Sequence, residues 1–153
     1  MIRSAHLLII DDEPQLRNML QRLFASEGYT VTTSENGAQA MQRLKAQRFH
    51  VVLCDVKLPD ANGVELTKAI KSQQPDAEVI VFTAFGNIGD AVQALQNGAF
   101  HYLVKGDDND KLIPTVARAV EKARTQQQAE RAHHSDPFDA VTGRSPAIQQ
   151  VVA

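Results

Sequence analysis

The chain has one cysteine and no tryptophan among 153 residues. A lone thiol excludes a disulfide framework, and Cys54 sits inside an apolar run, which reads as a buried, inert side chain. Positive charge is not in surplus either: 16 Lys and Arg face 18 Asp and Glu, a net charge of −2. With no basic stripe, the counterion release that drives nucleic-acid affinity has no source, so direct nucleic-acid binding by this chain is not expected. The start, MIRSAHLLIIDDE, offers only a short apolar stretch broken by two acids, too short for a signal segment or a membrane span, which points to a cytoplasmic protein without membrane attachment. The five histidines lack metal-ligand spacing. A Walker A glycine loop is also missing, so ATP hydrolysis by this chain is not expected.

What is present is an alternation. The short runs His6–Ile10, Thr30–Thr33, Val51–Cys54, Val79–Phe82 and Tyr102–Val104 have strand length, and the more polar run at Thr30 suits a sheet edge. Between them, segments such as Glu13–Glu27 (Leu16, Met19, Leu20, Leu23, Phe24) and Asn36–Gln47 (Ala40, Met41, Leu44) carry apolar residues at helical spacing. Strand followed by helix, five times over, implies a doubly wound α/β fold: a parallel sheet covered by helices on both faces through right-handed crossovers. Leu112–Arg131 reads as one long helix with an apolar stripe of Ile113, Val116, Val120 and Ala123 that fails at Gln127 and Glu130. That stripe fits an exposed terminal helix or a weak coiled coil equally well. The expected organisation is one domain over residues 1–123 and a helical linker over 124–137. The segment 138–153 is then the cut-off start of a further domain.

Polar residues mark the ends of four runs: Asp11 and Asp12, Asp55, Thr83, and Lys105. In an open parallel sheet, ligands bind beyond the carboxyl ends of the strands, so these residues can meet in one pocket. Three close carboxylates repel unless a cation neutralises them, and oxygen ligands of this kind suit Mg²⁺. Asp55 could then attack phosphorus, with Lys105 and the Thr83 hydroxyl stabilising the charge spread over the transferring group. Singly, Asp12 reads equally as a helix N-cap, Thr83 as a turn residue, Lys105 as a surface charge, and Tyr102 as a packing residue. It is the placement of the set at successive strand ends that argues for chemistry.

These segments, Leu8-Ile9-Ile10-Asp11-Asp12-Glu13, Cys54-Asp55-Val56-Lys57-Leu58-Pro59-Asp60-Ala61-Asn62-Gly63, Phe82-Thr83-Ala84-Phe85-Gly86 and Gly98 to Lys105, resemble the receiver domain of bacterial two-component response regulators. The resemblance covers about Met1 to Ala123. It implies a flavodoxin-like sheet of order 2-1-3-4-5 and phosphotransfer from a histidine kinase to Asp55. It also implies Mg²⁺ held by Asp12, Asp55 and the backbone carbonyl of Lys57, with Asp11 assisting through water, and a switch in which Thr83 and Tyr102 move. A receiver is a phosphoacceptor rather than an enzyme in the usual sense. Gly106 departs from the pattern, which usually has proline after the strand-end lysine.

The Thr-Ala-Phe-Gly stretch and Gly143-Arg144-Ser145-Pro146 further look like a sigma-54-dependent transcription activator, implying sigma-54 RNA polymerase as a partner through a missing output domain. Phosphorylation is expected to alter self-association, as a switchable dimer, through the surface of Tyr102 and the helix from Lys111 onward. Two alternatives stand beside this reading. A haloacid-dehalogenase-like phosphatase needs an acid two residues after the nucleophile, where Lys57 stands. A degenerate receiver working without phosphorylation draws support only from Gly106.

Overall fold

The computed structural model describes residues 4–135, with side chains described as far as residue 127. Five parallel strands, β1 (His6–Ile10), β2 (Thr30–Ser34), β3 (Val51–Cys54), β4 (Glu78–Thr83) and β5 (His101–Val104), lie in the order β2-β1-β3-β4-β5. The helices α1 (Pro14–Ser26), α2 (Gly37–Ala46), α3 (Gly63–Gln73), α4 (Ile88–Gln96) and α5 (Asn109–Ser135) fill the crossovers and continue past β5. This is the doubly wound arrangement that the alternation implies, in the flavodoxin-like order that the resemblance implies, with the polar run at Thr30 on the edge. Compact packing runs over Met1–Ala123, and the chain from Arg124 forms a second unit. The expected beginning of a further domain over 138–153 falls outside the described residues.

Strand period two divides the core. On one face Leu7, Ile9, Val51, Leu53, Ile80 and Phe82 pack with Leu20 and Phe24 of α1 and with Leu112, Val116, Ala119 and Val120 of α5. On the other, Leu8, Ile10, Val52, Cys54 and Val79 meet Ala40 and Leu44 of α2 and Leu66 and Ile70 of α3. Central strands read as unbroken apolar runs because both of their faces are covered.

Two expectations change here. Val116, Val120 and Ala123 are buried in the chain's own core and Ile113 packs against it, so the stripe is no coiled-coil seam. Its spacing is that of a helix lying on a sheet. The cap of α1, moreover, is Glu13 and not Asp12: the Glu13 carboxylate accepts from Gln15 N–H at 2.9 Å and Leu16 N–H at 3.2 Å. Asp12 is left exposed at the strand end.

The start of α3 fixes the strand end that matters most. Asn62 caps the helix through Val64 N–H at 2.8 Å, and Gly63 N–H donates to the carbonyl of Val56 at 2.7 Å. A Cβ on Gly63 would lie 1.9 Å from the backbone carbonyl oxygen of Asp55. Backbone, unlike the tip of a flexible side chain, does not yield cheaply. Gly63→Ala is therefore expected to cost on the order of 1–3 kcal/mol. Urea denaturation followed by circular dichroism measures this, and an unchanged midpoint would refute the close approach.

Candidate functional site

The carboxyl ends of β1, β3, β4 and β5 bring the sequence-selected residues together. Asp11 follows β1 and Asp55 follows β3, and both are buried, at 3% and 9% exposure. The Lys105 ammonium, one residue past β5, lies 2.7 Å from Asp11 Oδ2 and 2.9 Å from Asp55 Oδ2. The other oxygens are held by backbone: Asp11 Oδ1 accepts from Glu13 N–H at 2.9 Å, and Asp55 Oδ1 from Val56 N–H at 2.7 Å. Arg17 braces the turn by donating to the Asp11 carbonyl at 2.7 Å.

Burial pushes the Asp11 carboxyl above its ordinary value, against the hydrogen bonds from Lys105 and Glu13 N–H, and the charge of Asp55 adds to the rise. For Lys105, burial acts downward but the hydrogen bonds and charges of Asp11 and Asp55 outweigh it, so its pKa is raised. Each partner's shift has a plain meaning: the lysine is firmly charged, yet one ammonium does not fully compensate the acids.

Asp11, Asp12 and Asp55 can each offer a carboxylate oxygen such that all three lie within 4.8 Å of one another. An all-oxygen, net-negative set of this kind fits a hard divalent cation. The loop after β3 carries Lys57, whose backbone carbonyl the resemblance offers as a further ligand. Lys57 pairs with Asn62 in an antiparallel bridge whose hydrogen bonds run from Gly63 N–H to Val56 O and from Leu58 N–H to Ala61 O, so the bridge leaves the Lys57 carbonyl unused. The Lys57 ammonium lies elsewhere, 4.4 Å from the centre of the Phe85 ring.

Thr83 and Tyr102 are near the cluster but bonded away from it. The fully buried Thr83 hydroxyl accepts from Phe85 N–H at 3.3 Å, and the Tyr102 hydroxyl accepts from Asn87 N–H at 3.4 Å. Two hydroxyls thus hold the two ends of the loop between β4 and α4. Tyr102 also packs against Val56, Val64, Val81 and Ala94, so its packing reading holds as well.

Sequence reasoning missed the role of Asp60. Its carboxylate accepts from Gly37 N–H at 2.8 Å and Ala38 N–H at 2.9 Å, capping α2 from the loop that carries Lys57. Those two bonds hold its pKa below the ordinary value. No local signal reveals this, because the partners are more than twenty residues away in the chain.

Residues 7–117 match the family described as the response regulator receiver domain. The chain is 37% identical over 143 residues to the DNA-binding transcriptional regulator NtrC of Escherichia coli K12, a match covering 94% of this chain and 30% of that protein. It therefore spans about a third of the length of the curated relatives it matches. Among solved structures, it resembles the beryllofluoride-activated NtrC4 receiver domain dimer (TM-score 0.72, 32% identity, 77% of this chain and 98% of that one). It also resembles the response regulator TrrA of Thermotoga maritima in complex with Mg²⁺ and beryllofluoride (TM-score 0.69, 28% identity, 76% and 99%). Together with lysine rather than acid at position 57, this sets the phosphatase alternative aside: the chain belongs to the response regulator receiver domain family.

Proposed function

We propose that Asp55 accepts a phosphoryl group from the phosphohistidine of a histidine kinase, and that the chain relays this event to an output domain. The observation that carries the reading is the Asp55 carboxylate at the end of β3, with Lys105 at 2.9 Å and two further acids beside it. An Asp55 oxygen attacks phosphorus, the P–N bond to histidine breaks, and an acyl phosphate forms. Lys105 is placed to take up the charge that develops on the phosphoryl oxygens. Asp12, Asp55 and the Lys57 carbonyl are the ligands we assign to Mg²⁺, with Asp11 acting through water. When bound, the metal supplies charge neutralisation between acceptor and phosphoryl group.

The hydroxyl geometry supports a switch. A turn of the Thr83 side chain toward a phosphoryl oxygen would alter the bond that its hydroxyl accepts from Phe85 N–H. The far end of the same loop is held by Tyr102, so a change at one hydroxyl bears on the other. Coupling of ~1–3 kcal/mol would change an association constant by about 5- to 150-fold.

With the stripe of α5 buried, the surface that supports self-association lies on α4. Ile88 is 83% exposed, and Val92, Leu95 and the neighbouring Phe85 are exposed with it. The relation to NtrC and the Gly143-Arg144-Ser145-Pro146 segment support an output that works with sigma-54 RNA polymerase. Such a relay operates in the cytoplasm.

Acetyl phosphate with Mg²⁺ is expected to add one phosphoryl group per chain by intact mass. Asp55→Asn should abolish the adduct, and so should Asp12→Ala, where undiminished labelling in Mg²⁺ would overturn the metal assignment. An adduct that survives in Asp55→Asn would overturn the acceptor.

The raised pKa of Asp11 fixes the sign of a second outcome. Its ionised form is less favourable in the folded than in the unfolded chain, so it costs stability as pH rises above the ordinary carboxyl value of 3.8. Asp11→Asn should therefore raise the melting temperature of metal-free protein at pH 7, with the gain fading below pH 3.8. A lowered melting temperature at pH 7 would mean that the Lys105 pairing outweighs burial.

Sedimentation with beryllofluoride should show association that Ile88→Asp weakens. An unchanged mass distribution, with the analogue bound, would exclude α4 as the contact.

A further inference from the structure

Lys105, Gly106, Asp107 and Asp108 join β5 to α5. Gly106 has φ +91°, a region that proline, fixed near about −65°, cannot enter. The loop therefore follows a course of its own, and a glycine in it gives the lysine no rigidity.

The ladder stays in register to its end: Thr83 and Val104 are partners, and Lys105 N–H donates to the Thr83 carbonyl at 2.8 Å as a parallel pair requires. Val104 N–H, on the outer edge of this edge strand, donates to Asp108 Oδ2 at 2.8 Å. Asp108 returns the bond, its own N–H donating to the Val104 carbonyl at 2.8 Å. Asn109 Oδ1 accepts from Gly106 N–H at 2.9 Å, and Lys111 lies 3.3 Å from Asp108 Oδ1.

Resting on the reading of Lys105 given above, we propose that Asp108 is a positioning residue for that lysine. Its reciprocal pair with Val104 fixes the outer edge of the last strand residue before Lys105, the point from which the ammonium reaches between Asp11 and Asp55. Asp108 touches no reacting atom. It supplies, through a carboxylate, the fixity that a proline would give a loop of different course. The bond from Val104 N–H is also the first cause of its lowered pKa, so the carboxylate is ionised as it accepts.

The test is a double-mutant cycle on the rate of phosphorylation by acetyl phosphate in saturating Mg²⁺. Lys105→Ala should slow the reaction strongly. Asp108→Ala should slow it by about tenfold, within the range that ångström-scale misplacement produces. Asp108→Asn, whose amide oxygen still accepts from Val104 N–H, should stay within about threefold of the starting rate, since only the acceptor geometry matters. Combining Asp108→Ala with Lys105→Ala should cost no more than about twofold beyond Lys105→Ala alone, because the group being positioned is gone. A full tenfold loss in that background would overturn the proposal, as would a wild-type rate for Asp108→Ala. Should Lys105→Ala react at the wild-type rate, the role of the lysine itself fails, and the proposal falls with it. If Asp108→Ala does not fold, Asn109→Ala, which releases only Gly106, enters the same cycle with the same expected loss of additivity and the same overturning result.

Discussion

One ammonium between two buried carboxylates organises this molecule. Ionised groups taken from water are costly unless paired, and leaving one unpaired is costlier than burying none. Lys105 serves Asp11 and Asp55 together, but with exposed Asp12 the count is three acids against one cation, leaving two negative charges in one cluster. The opposite end of the sheet is settled differently. There Glu78, 1% exposed, has Lys71 at 3.8 Å and Lys122 at 3.7 Å, two tethered cations for one acid. An end whose charges are balanced by its own side chains has nothing to recruit. An end in deficit has room for an exchangeable cation, and this is where the strand termini, the open loops and the reactive carboxylate lie.

How much of this was legible in the residues follows from the range of each interaction. The parallel sheet was readable because burial on both faces makes a strand uniformly apolar, and because the departures from apolarity at Asp11, Asp55, Thr83 and Lys105 mark where each strand leaves the core; its strand order came only with the resemblance to receiver domains. The N-cap of α3 was equally local, an Asn directly before the helix. The choice between Asp12 and Glu13 as the cap of α1 was not, since the two acids stand two residues and one residue before the helix and only the turn decides. The stripe of α5 was ambiguous for another reason: an apolar face has the same spacing whether a sheet or a second helix covers it. Asp60 and Asp108 were invisible as structural residues because each spends its carboxylate on backbone N–H groups that only the folded loops bring near.

The site is therefore built at two levels. Strand ends deliver the reactive groups, a placement set by the core and insensitive to surface detail. Carboxylates on the intervening loops then set the fine aim, Asp60 by tying the Lys57 loop to α2 and Asp108 by fixing the end of β5. Changes in the core that sets the first level would disturb the fold, whereas changes at the second act first on how well the groups meet.

The helix α4 has a different character from its neighbours. Of its nine residues only Ala94 is buried, while Ile88, Val92 and Leu95 face solvent. Apolar area removed from water is what holds a helix to a sheet, so α4 is held more weakly than α3, which buries Val64, Leu66 and Ile70. Amide hydrogen exchange is expected to find its backbone opening at free energies well below that of global unfolding.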